Sequence, residues 1–300
     1  DNFAHVDVYD MSKLKAGRVH FKFVGADHPA HSDYQEFQAH RKILGVVGIV
    51  HCRRSPQLNA AASEFSAALA KYPTALAATC LAFEPLPDQA DLERGSVLTL
   101  VPNQNESRLL GYLETHLTEI FARALVDKLH ACVTDAAAMT YVSTPLDDDA
   151  NRMRKKNLHG RVAKYKADYS LLASDLDKAT ELYTHAAELS RQSVDWEWLA
   201  GATEGLCAIK VLRRAGDEAC PTDEDGDEVA SMLADVISSY NKKGPKAALL
   251  ETEARLKLCR RLIAFGRKEK ALEMVRQSYE LANANTMSTH NRICIMSSLC

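Results

Sequence analysis

The sequence predicts an α/β domain followed by an all-α helical solenoid, and two observations lead to this prediction. In residues 1–146, short runs rich in β-branched residues alternate with segments of helical periodicity, a pattern typical of strands joined by helices. In residues 147–300, almost every segment instead has apolar residues at three- and four-residue steps on one face only. The 300 residues, 46% of them apolar and 26% charged, are enough for both domains.

Four strands and two helices are predicted in the first domain. The strands are expected at Val19 to Val24, Ile43 to Cys52, Ala78 to Phe83 and Val97 to Val101. An amphipathic stripe predicts a helix from Leu58 to Tyr72, and a longer stripe from Leu109 to Leu129, with Ile120 on its apolar face, predicts the second helix. Because parallel neighbours need a crossover connection, some of these strands are expected to pair in parallel.

Two glycines lie inside the second of these strands. Gly45 and Gly48 are explained by close backbone packing in a buried strand, because the chain lacks the G-x-x-x-x-G-K-[ST] string that cradles phosphates. The motifs G-x-S-x-G and H-E-x-x-H and the glycine-rich dinucleotide turn are also absent from the sequence. The sequence therefore predicts no catalytic, cofactor-binding or metal site of these classes.

The break between the two domains is predicted after residue 146. The stretch from Ser143 to Asp149 contains Pro145 and three consecutive aspartates, and it is acidic just where a following helix presents its positive end. Beyond it, one-sided stripes predict consecutive helices, the last with an apolar face made of Leu272, Val275, Tyr279 and Ala282. The acidic residues 217–228 are interpreted as a solvated insertion between two helices.

Two groups of residues in the second domain share one spacing. Steps of 12, 4 and 3 residues separate Ala167, Ala179, Tyr183 and Ala186, and they recur at Cys259, Ala271, Val275 and Ser278. Small residues at such positions let paired helices approach closely, as they do in tetratricopeptide (TPR) repeats. Residues 147–300 are therefore predicted to form a TPR-like α-solenoid.

Charge and cysteine usage limit the compartment and the ligands. A net charge of −3 lacks the basic excess that sequence-independent nucleic-acid binding requires. The 8 cysteines never fall into C-x-x-C spacing, which indicates reduced thiols and a cytoplasmic protein without a visible secretory signal. No apolar stretch approaches the roughly 20 residues that cross a bilayer.

Positive charge is concentrated at the start of the second domain. Six residues there are candidates for contact with an acidic partner or an anionic membrane: Arg152, Arg154, Lys155, Lys156, Arg161 and Lys164. Cations in the first turn of a helix oppose its dipole, which favours a role beyond helix stability. The alternative interpretation is an ordinary solvated helix face.

Two stretches carry a resemblance to a known family. The first, FQAHRKILG at residues 37–45, precedes the apolar strand that ends in Cys52. The second begins with RMRKK at residues 152–156 and ends with WLAGATEGLC at residues 198–207. These stretches resemble the N-terminal portion of the large subunit specific to the TRAPP II tethering complex, the family of trafficking protein particle complex subunit 9, or NIBP.

The resemblance implies a non-catalytic scaffold or tether subunit that supports Rab guanine nucleotide exchange in Golgi and endosomal vesicle traffic. As partners it implies other TRAPP subunits, a Rab GTPase through the complex, a peripheral contact with trans-Golgi and endosomal membranes, and kinases of the NF-κB pathway. Two alternatives stay open from the residues alone. Beside the scaffold, these are a TPR-like adaptor that captures peptides and an α/β enzyme whose site residues are dispersed in the sequence.

Overall fold

The structure of the chain is a computed structural model, and it describes residues 3–10, 15–25, 34–54, 57–89, 98–103, 105–140, 142–147, 155–215 and 223–283. These residues form two compact units. The first, the α/β unit, comprises the described residues up to Gln35, those of His40–Cys132, and Leu172–Ser174. The second, the helical unit, comprises Glu36–Ala39, the described residues of Val133–Leu171, and those from Asp175 onward. Independent folding of two domains divided after residue 146 stays a prediction.

The α/β unit contains two sheets. Strands β1 (Phe3–Asp10) and β2 (Lys15–Lys22) pair antiparallel. Strands β3 (Gly45–His51), β4 (Ala77–Phe83) and β5 (Leu98–Leu100) form a parallel sheet in that order. The predicted parallel pairing is confirmed, whereas β1 was not predicted from the sequence.

One face of the parallel sheet is covered by helix α1 (Leu58–Leu69). The buried core beneath this helix consists of Cys52, Leu58, Cys80, Ala82 and Leu98, with Phe65 packed against it. A Cβ atom on Gly48 would lie 2.7 Å from the ring of Phe65 and 2.8 Å from Sγ of Cys80. The interpretation of Gly48 as a close-packing residue of a strand is therefore confirmed.

A long helical stretch follows β5, and it is not α-helical throughout. It consists of α2 (Glu106–Thr115), a π-helical segment (His116–Ala122) and α3 (Arg123–Asp135). The predicted position of Ile120 on the apolar face is wrong, because Ile120 is 59% exposed.

The π-helical segment explains this difference. His116 and Phe121, five residues apart, are both buried: the His116 ring lies 3.0 Å from Oγ1 of Thr79, and a Cβ on Gly45 would lie 2.7 Å from the Phe121 ring. Residues five apart point to different sides of an α-helix, but hydrogen bonds from i to i+5 stack them on one side. The segment thus brings both rings to the sheet and turns Ile120 outward.

The helical unit contains the remaining helices of the described chain. They are α4 (Lys155–Leu172), α5 (Leu176–Ser193), α6 (Trp196–Ala215), α7 (Asp223–Asn241), α8 (Ala248–Ala264) and α9 (Lys268–Asn283). From α5 onward each helix packs against the next one along the chain. Short connections of two or three residues join α4 to α5 and α5 to α6, as expected for antiparallel helical hairpins.

Two sequence interpretations in this unit need correction. Helix α7 begins at Asp223, so the part of the predicted acidic insertion from residue 223 to 228 is helical, and residues 217–222 lie outside the described ranges. Acidic side chains are favourable in the first turn of a helix, where they meet the positive end of its dipole, so this acidic run starts a helix.

The second correction concerns α9. Leu272 and Tyr279, predicted on the buried face, are 55% and 51% exposed, whereas Ala271, Ser278 and Ala282 are buried. Helix α8 packs against α9, and small side chains permit the close approach of two helices. The small-residue line of α9 therefore faces its neighbour, and Leu272 and Tyr279 lie outside this contact.

Candidate functional site

Four of the six predicted contact residues have no described side chain. Arg152 and Arg154 lie outside the described residues, and Lys155 and Lys156 are described only as backbone of α4. Their assignment as a partner or membrane contact stays a prediction.

Arg161 and Lys164 do not lie on a solvated basic surface. They are 3% and 2% exposed, so the prediction that these two residues offer their charges to a partner is wrong. The physical reason is that each cation is paired inside the helical unit, Arg161 with Asp147 and Asp195, and Lys164 with Asp168 one turn further along α4, which makes burial of its charge tolerable.

Arg161 is the centre of a hydrogen-bonded cluster. Its terminal nitrogens donate to both carboxylate oxygens of Asp147, at 2.7 and 2.8 Å. Nε and one terminal nitrogen donate to Asp195, at 2.8 and 3.3 Å, and the remaining N–H donates to the carbonyl of Val142, at 2.9 Å. These bonds use all the N–H donors of a guanidinium group. The cluster thus fastens residues 142–147 to α4 and to the turn before α6.

Glu197, in the first turn of α6, extends this cluster. It is fully buried, and its carboxylate accepts a hydrogen bond from Oγ1 of Thr144 at 3.0 Å. Its other oxygen lies 2.7 Å from Nζ of Lys243, which follows α7. Thr144 also donates its amide to Asp147 at 2.9 Å. The segment before α4 is therefore held to two further parts of the helical unit.

The charged groups in this cluster alter the pKa values of its carboxylates. With Asp147, Asp195 and Glu197 ionised, three carboxylates face Arg161 and Lys243, which leaves one excess negative charge. Burial opposes ionisation of Asp147, but hydrogen bonds from Arg161 and from a backbone amide outweigh it and lower its pKa. Burial dominates at Asp195 and Glu197 and raises the pKa of each, since their cationic partners offset only part of it.

Lys164 holds a second segment, residues 37–39, in the same unit. Its Nζ donates to the carbonyl of Phe37 and lies 2.7 Å from Asp168 and 4.5 Å from the centre of the Phe37 ring. Asp168 also accepts from the amide of Ala39 at 3.4 Å and from the hydroxyl of Tyr183 at 2.7 Å. Burial, together with the charge of Asp168, raises the pKa of Tyr183, so its hydroxyl stays a donor.

Trp198 lies between these two clusters. Its ring meets that of Phe37 edge to face, with centres 5.1 Å apart, and both side chains are fully buried. The guanidinium of Arg161 and the ammonium of Lys164 lie 5.1 and 5.8 Å from its ring centre. Gly201 leaves room for this arrangement, because a Cβ there would lie 2.7 Å from the Phe37 ring.

Glu204, six residues after Trp198 on α6, binds Gln38, the residue that follows Phe37. Its carboxylate accepts hydrogen bonds from Gln38 at 3.3 Å, from Tyr240 at 2.7 Å and from Lys257 at 2.8 Å. Three parts of the chain, 36–39, α7 and α8, thus meet at one carboxylate of α6. We call the residues around Trp198 that bind segments 36–39 and 142–147 the Trp198 junction.

The two stretches that carry the sequence resemblance contact each other at this junction. Phe37 and Gln38 come from the first stretch, and Trp198, Gly201 and Glu204 come from the second. Every charged group described above has an opposite charge or a hydrogen-bond partner within the unit. The arrangement is suited to holding distant segments together, and its shifted pKa values follow from burial and from the charges paired there.

The described residues offer little for other chemistry. No cluster of three or more His, Cys, Asp or Glu side chains among them is placed to hold a metal ion. No helix in the described part of the chain is long and apolar enough to cross a membrane. Burial raises the pKa of Cys207 to about 12 and that of Cys80 to about 11, which keeps both thiols protonated at neutral pH.

Comparison with known protein families identifies the family to which this sequence is similar. Residues 8–158 match the sequence model described as Trs120/TRAPPC9, N-terminal domain. The chain belongs to the Trs120/TRAPPC9 family. The matched region of this family includes both segments that the Trp198 junction binds, and it ends within α4.

Curated relatives of the Trs120/TRAPPC9 family extend the similarity. The trafficking protein particle complex II-specific subunit 120 homolog of Arabidopsis thaliana is 33% identical over 276 residues, covering 87% of this chain and 23% of that protein. The homolog of the same name from Oryza sativa is 34% identical, with 77% and 20% covered, and human trafficking protein particle complex subunit 9 is 25% identical, with 61% and 17% covered. The chain thus spans less than a quarter of the length of these relatives.

Sequence reasoning missed most of the Trp198 junction. In the sequence, Phe37 and Glu204 stand out only as part of the resemblance, and Asp147 only as one of three aspartates before a predicted helix. One signal was available on α4, where buried polar residues recur at steps of four, three and four: Asn157, Arg161, Lys164 and Asp168. Polar residues at helical spacing beside the buried Ala167 indicate a polar face that packs against other parts of the protein.

Proposed function

We propose that this chain is part of a non-catalytic scaffold or tether subunit of a TRAPP II-type complex. In this role it supports Rab guanine nucleotide exchange in Golgi and endosomal vesicle traffic, from the cytoplasmic side of trans-Golgi and endosomal membranes. The observation that carries the proposal is membership of the Trs120/TRAPPC9 family, together with relatives whose names place them in trafficking protein particle complexes.

The interior of the helical unit supports a scaffolding role. Its buried polar side chains engage one another across long sequence separations, as Arg161 does with Asp195 and Gln38 does with Glu204. Such contacts rigidify a unit. A rigid body with large outer faces is what an assembly subunit needs in order to place other proteins.

We also propose that the helical unit is a TPR-like solenoid. Ala167, Ala179, Tyr183 and Ala186, which have the spacing described above, share one buried core cluster formed by α4, α5 and α6. The Tyr183 ring packs where a Cβ on Gly205 of α6 would lie, so small residues permit close stacking of the third helix. Cys259 and Ala271 repeat the contact between α8 and α9, with Sγ 3.6 Å from the Ala271 carbonyl.

The basic start of α4 is proposed as a contact for an acidic partner or an anionic membrane, now limited to Arg152, Arg154, Lys155 and Lys156. Charge reversal at Lys155 and Lys156 should weaken that contact, because it replaces attraction to an acidic surface by repulsion. The matched control is reversal of Lys268 and Lys270, two exposed residues of α9. Equal binding by both double variants would overturn this part of the proposal.

The whole proposal is tested with the full-length protein in cells and in a purified system. Tagged full-length protein should recover other TRAPP subunits, and the assembled complex should accelerate nucleotide release from a Rab GTPase. The full-length protein alone should not accelerate release, since its proposed role is to place other subunits. Recovery of no TRAPP subunit, or exchange activity of the isolated protein, would contradict the proposal.

A further inference from the structure

Strand β3 occupies one side of the parallel sheet. The strand order is β3, β4, β5, so β3 pairs with β4 on one edge, from Gly45 opposite Ala77 to His51 opposite Phe83. Among the described residues no strand pairs with its other edge. The β1–β2 pair forms a sheet of its own.

Backbone hydrogen bonds define which groups lie on that open edge. The carbonyl of Leu44 accepts a bond from Ala77 at 3.3 Å, and the amide of Cys52 donates to Phe83 at 2.9 Å. In a parallel ladder alternate residues bond to the same neighbour, so the even-numbered residues of β3 direct their N–H and C=O groups to β4. The odd-numbered residues direct theirs to the open edge: Gly45, Val47, Ile49 and His51.

The sequence of β3 is unsuited to an edge. Natural edge strands are protected by charged residues, proline, bulges or short length. Strand β5 has only 3 residues, whereas β3 has 7, GVVGIVH, without an acidic residue, lysine, arginine or proline. Uninterrupted apolar runs are typical of strands that lie inside a parallel sheet. Ile49 is 75% exposed, so the face of the sheet at this position is open to solvent as well.

We propose that a further strand, supplied by the full-length polypeptide from outside these 300 residues, pairs with the open edge of β3. Its chemistry is that of a buried strand: an extended, uncharged segment of about five to seven residues, rich in β-branched side chains. The Arabidopsis relative is long enough to supply it, because this chain covers only 23% of that protein.

A strand from the same polypeptide is favoured over one from another subunit. An apolar edge of this length that waited for a partner would pair with other copies of itself and promote aggregation. A strand within the same chain removes that hazard during folding. This inference is independent of the proposed trafficking role.

Hydrogen exchange at single-residue resolution tests the proposal. In the 300-residue chain, amides of odd-numbered residues in β3 should exchange rapidly and those of even-numbered residues slowly. In the purified full-length protein both sets should be slow, with exchange at Val47 and Ile49 reduced by at least about 100-fold. Equal rates at these amides in the two proteins would overturn the proposal.

The source of the strand is resolved by three further outcomes. Slow exchange at the odd-numbered amides only after other subunits are added would assign the strand to a partner and overturn the proposal. Slow exchange in the 300-residue chain that increases with its concentration would assign it to a second copy. Slow exchange in that chain at every dilution would assign it to the chain's own residues. The last two outcomes also overturn the proposal.

A pair of proline variants provides a second measurement. Proline removes an N–H, and it is tolerated in a strand only where that N–H faces solvent. V47P should therefore leave amide protection across β4 intact in the 300-residue chain and abolish it in the full-length protein. V46P, the matched control, removes an N–H directed to β4 and should abolish protection in both. Retained protection in full-length V47P would contradict the proposal.

Discussion

Replacement of Arg161 by methionine gives a direct test of the buried cluster. The variant R161M keeps much of the length and apolar volume of the side chain but leaves Asp147 and Asp195 without their common cation. Removal of one member of a buried, hydrogen-bonded ion pair costs about 3–5 kcal/mol, because the remaining charge stays desolvated. With a urea slope of about 2 kcal/mol per M, the unfolding midpoint should fall by about 2 M.

Tryptophan fluorescence is a specific probe for this experiment. The chain has 2 tryptophans, Trp196 and Trp198, and both belong to the helical unit, so their emission follows the unfolding of that unit alone. The matched control is R213M, which removes an arginine of the same unit that pairs with Asp177 at 2.9 Å on the surface. Exposed pairs of this kind contribute about 0.2–1 kcal/mol.

Comparison of the two variants decides the question. A midpoint for R161M that falls no further than that of R213M would show that the Arg161 cluster is solvated and would refute the reasoning. A second variant, R161M combined with D147N, should recover part of the loss, because it removes one of the two uncompensated carboxylates.

Three more predictions use the same chain. The pKa of Glu197 is raised in the folded protein, so this group stabilises the fold below its unfolded pKa of 4.5, and that stability is lost as pH rises through the folded pKa. The pKa of Asp147 is lowered, so this group stabilises the fold above its unfolded pKa of 3.8, and that stability is lost as pH falls through the folded pKa. Urea midpoints measured from about pH 8 to pH 3 should therefore first rise and then fall. E197Q should reduce the rise, to which Asp195 also contributes, and D147N should reduce the fall. G205A should lower the melting temperature, since its Cβ would overlap the Tyr183 ring and overpacking costs about 1–3 kcal/mol. The control G111A, whose Cβ would have nothing within 4 Å, should raise the melting temperature slightly. Equal shifts in the two variants would contradict the close packing at Gly205. Cys207, with a pKa near 12, should remain unalkylated in native protein at neutral pH and react fully after unfolding, as measured by peptide mass spectrometry.

Much of the α/β unit was predictable because its signals are local. Strands β3 and β4 and helix α1 each have an uninterrupted apolar run or a regular stripe, and these patterns decide element type before any tertiary contact forms. The π-helical segment was not predictable, since a period of 3.6 was assumed throughout. Its cause is the joint packing of two rings on a sheet that lies elsewhere in the sequence.

The Trp198 junction was hidden for a similar reason. A lysine and an arginine on one helix predict a solvated face unless their partners are known, and most of those partners are distant in sequence. Asp147 lies 14 residues and Asp195 lies 34 residues from Arg161, and Phe37 lies 127 residues from Lys164. Burial of a charge depends on the assembled unit. The spacing along α4 therefore indicated that Arg161 and Lys164 lie on this helix, but not that their side chains are buried.

The π-helical segment has a consequence for how this fold tolerates changes in length. A π turn contains about one residue more than an α turn, so loss of one residue between His116 and Ala122 converts the turn to α-helix while the flanking helical turns keep their positions. Leu125 and Leu129 would then stay in the core, and His116 and Phe121, now four residues apart, would share one face of an α-helix. A single-residue deletion is thus better accommodated in this segment than anywhere else along α2 and α3, and homologous chains that differ by one residue here can share the same sheet packing.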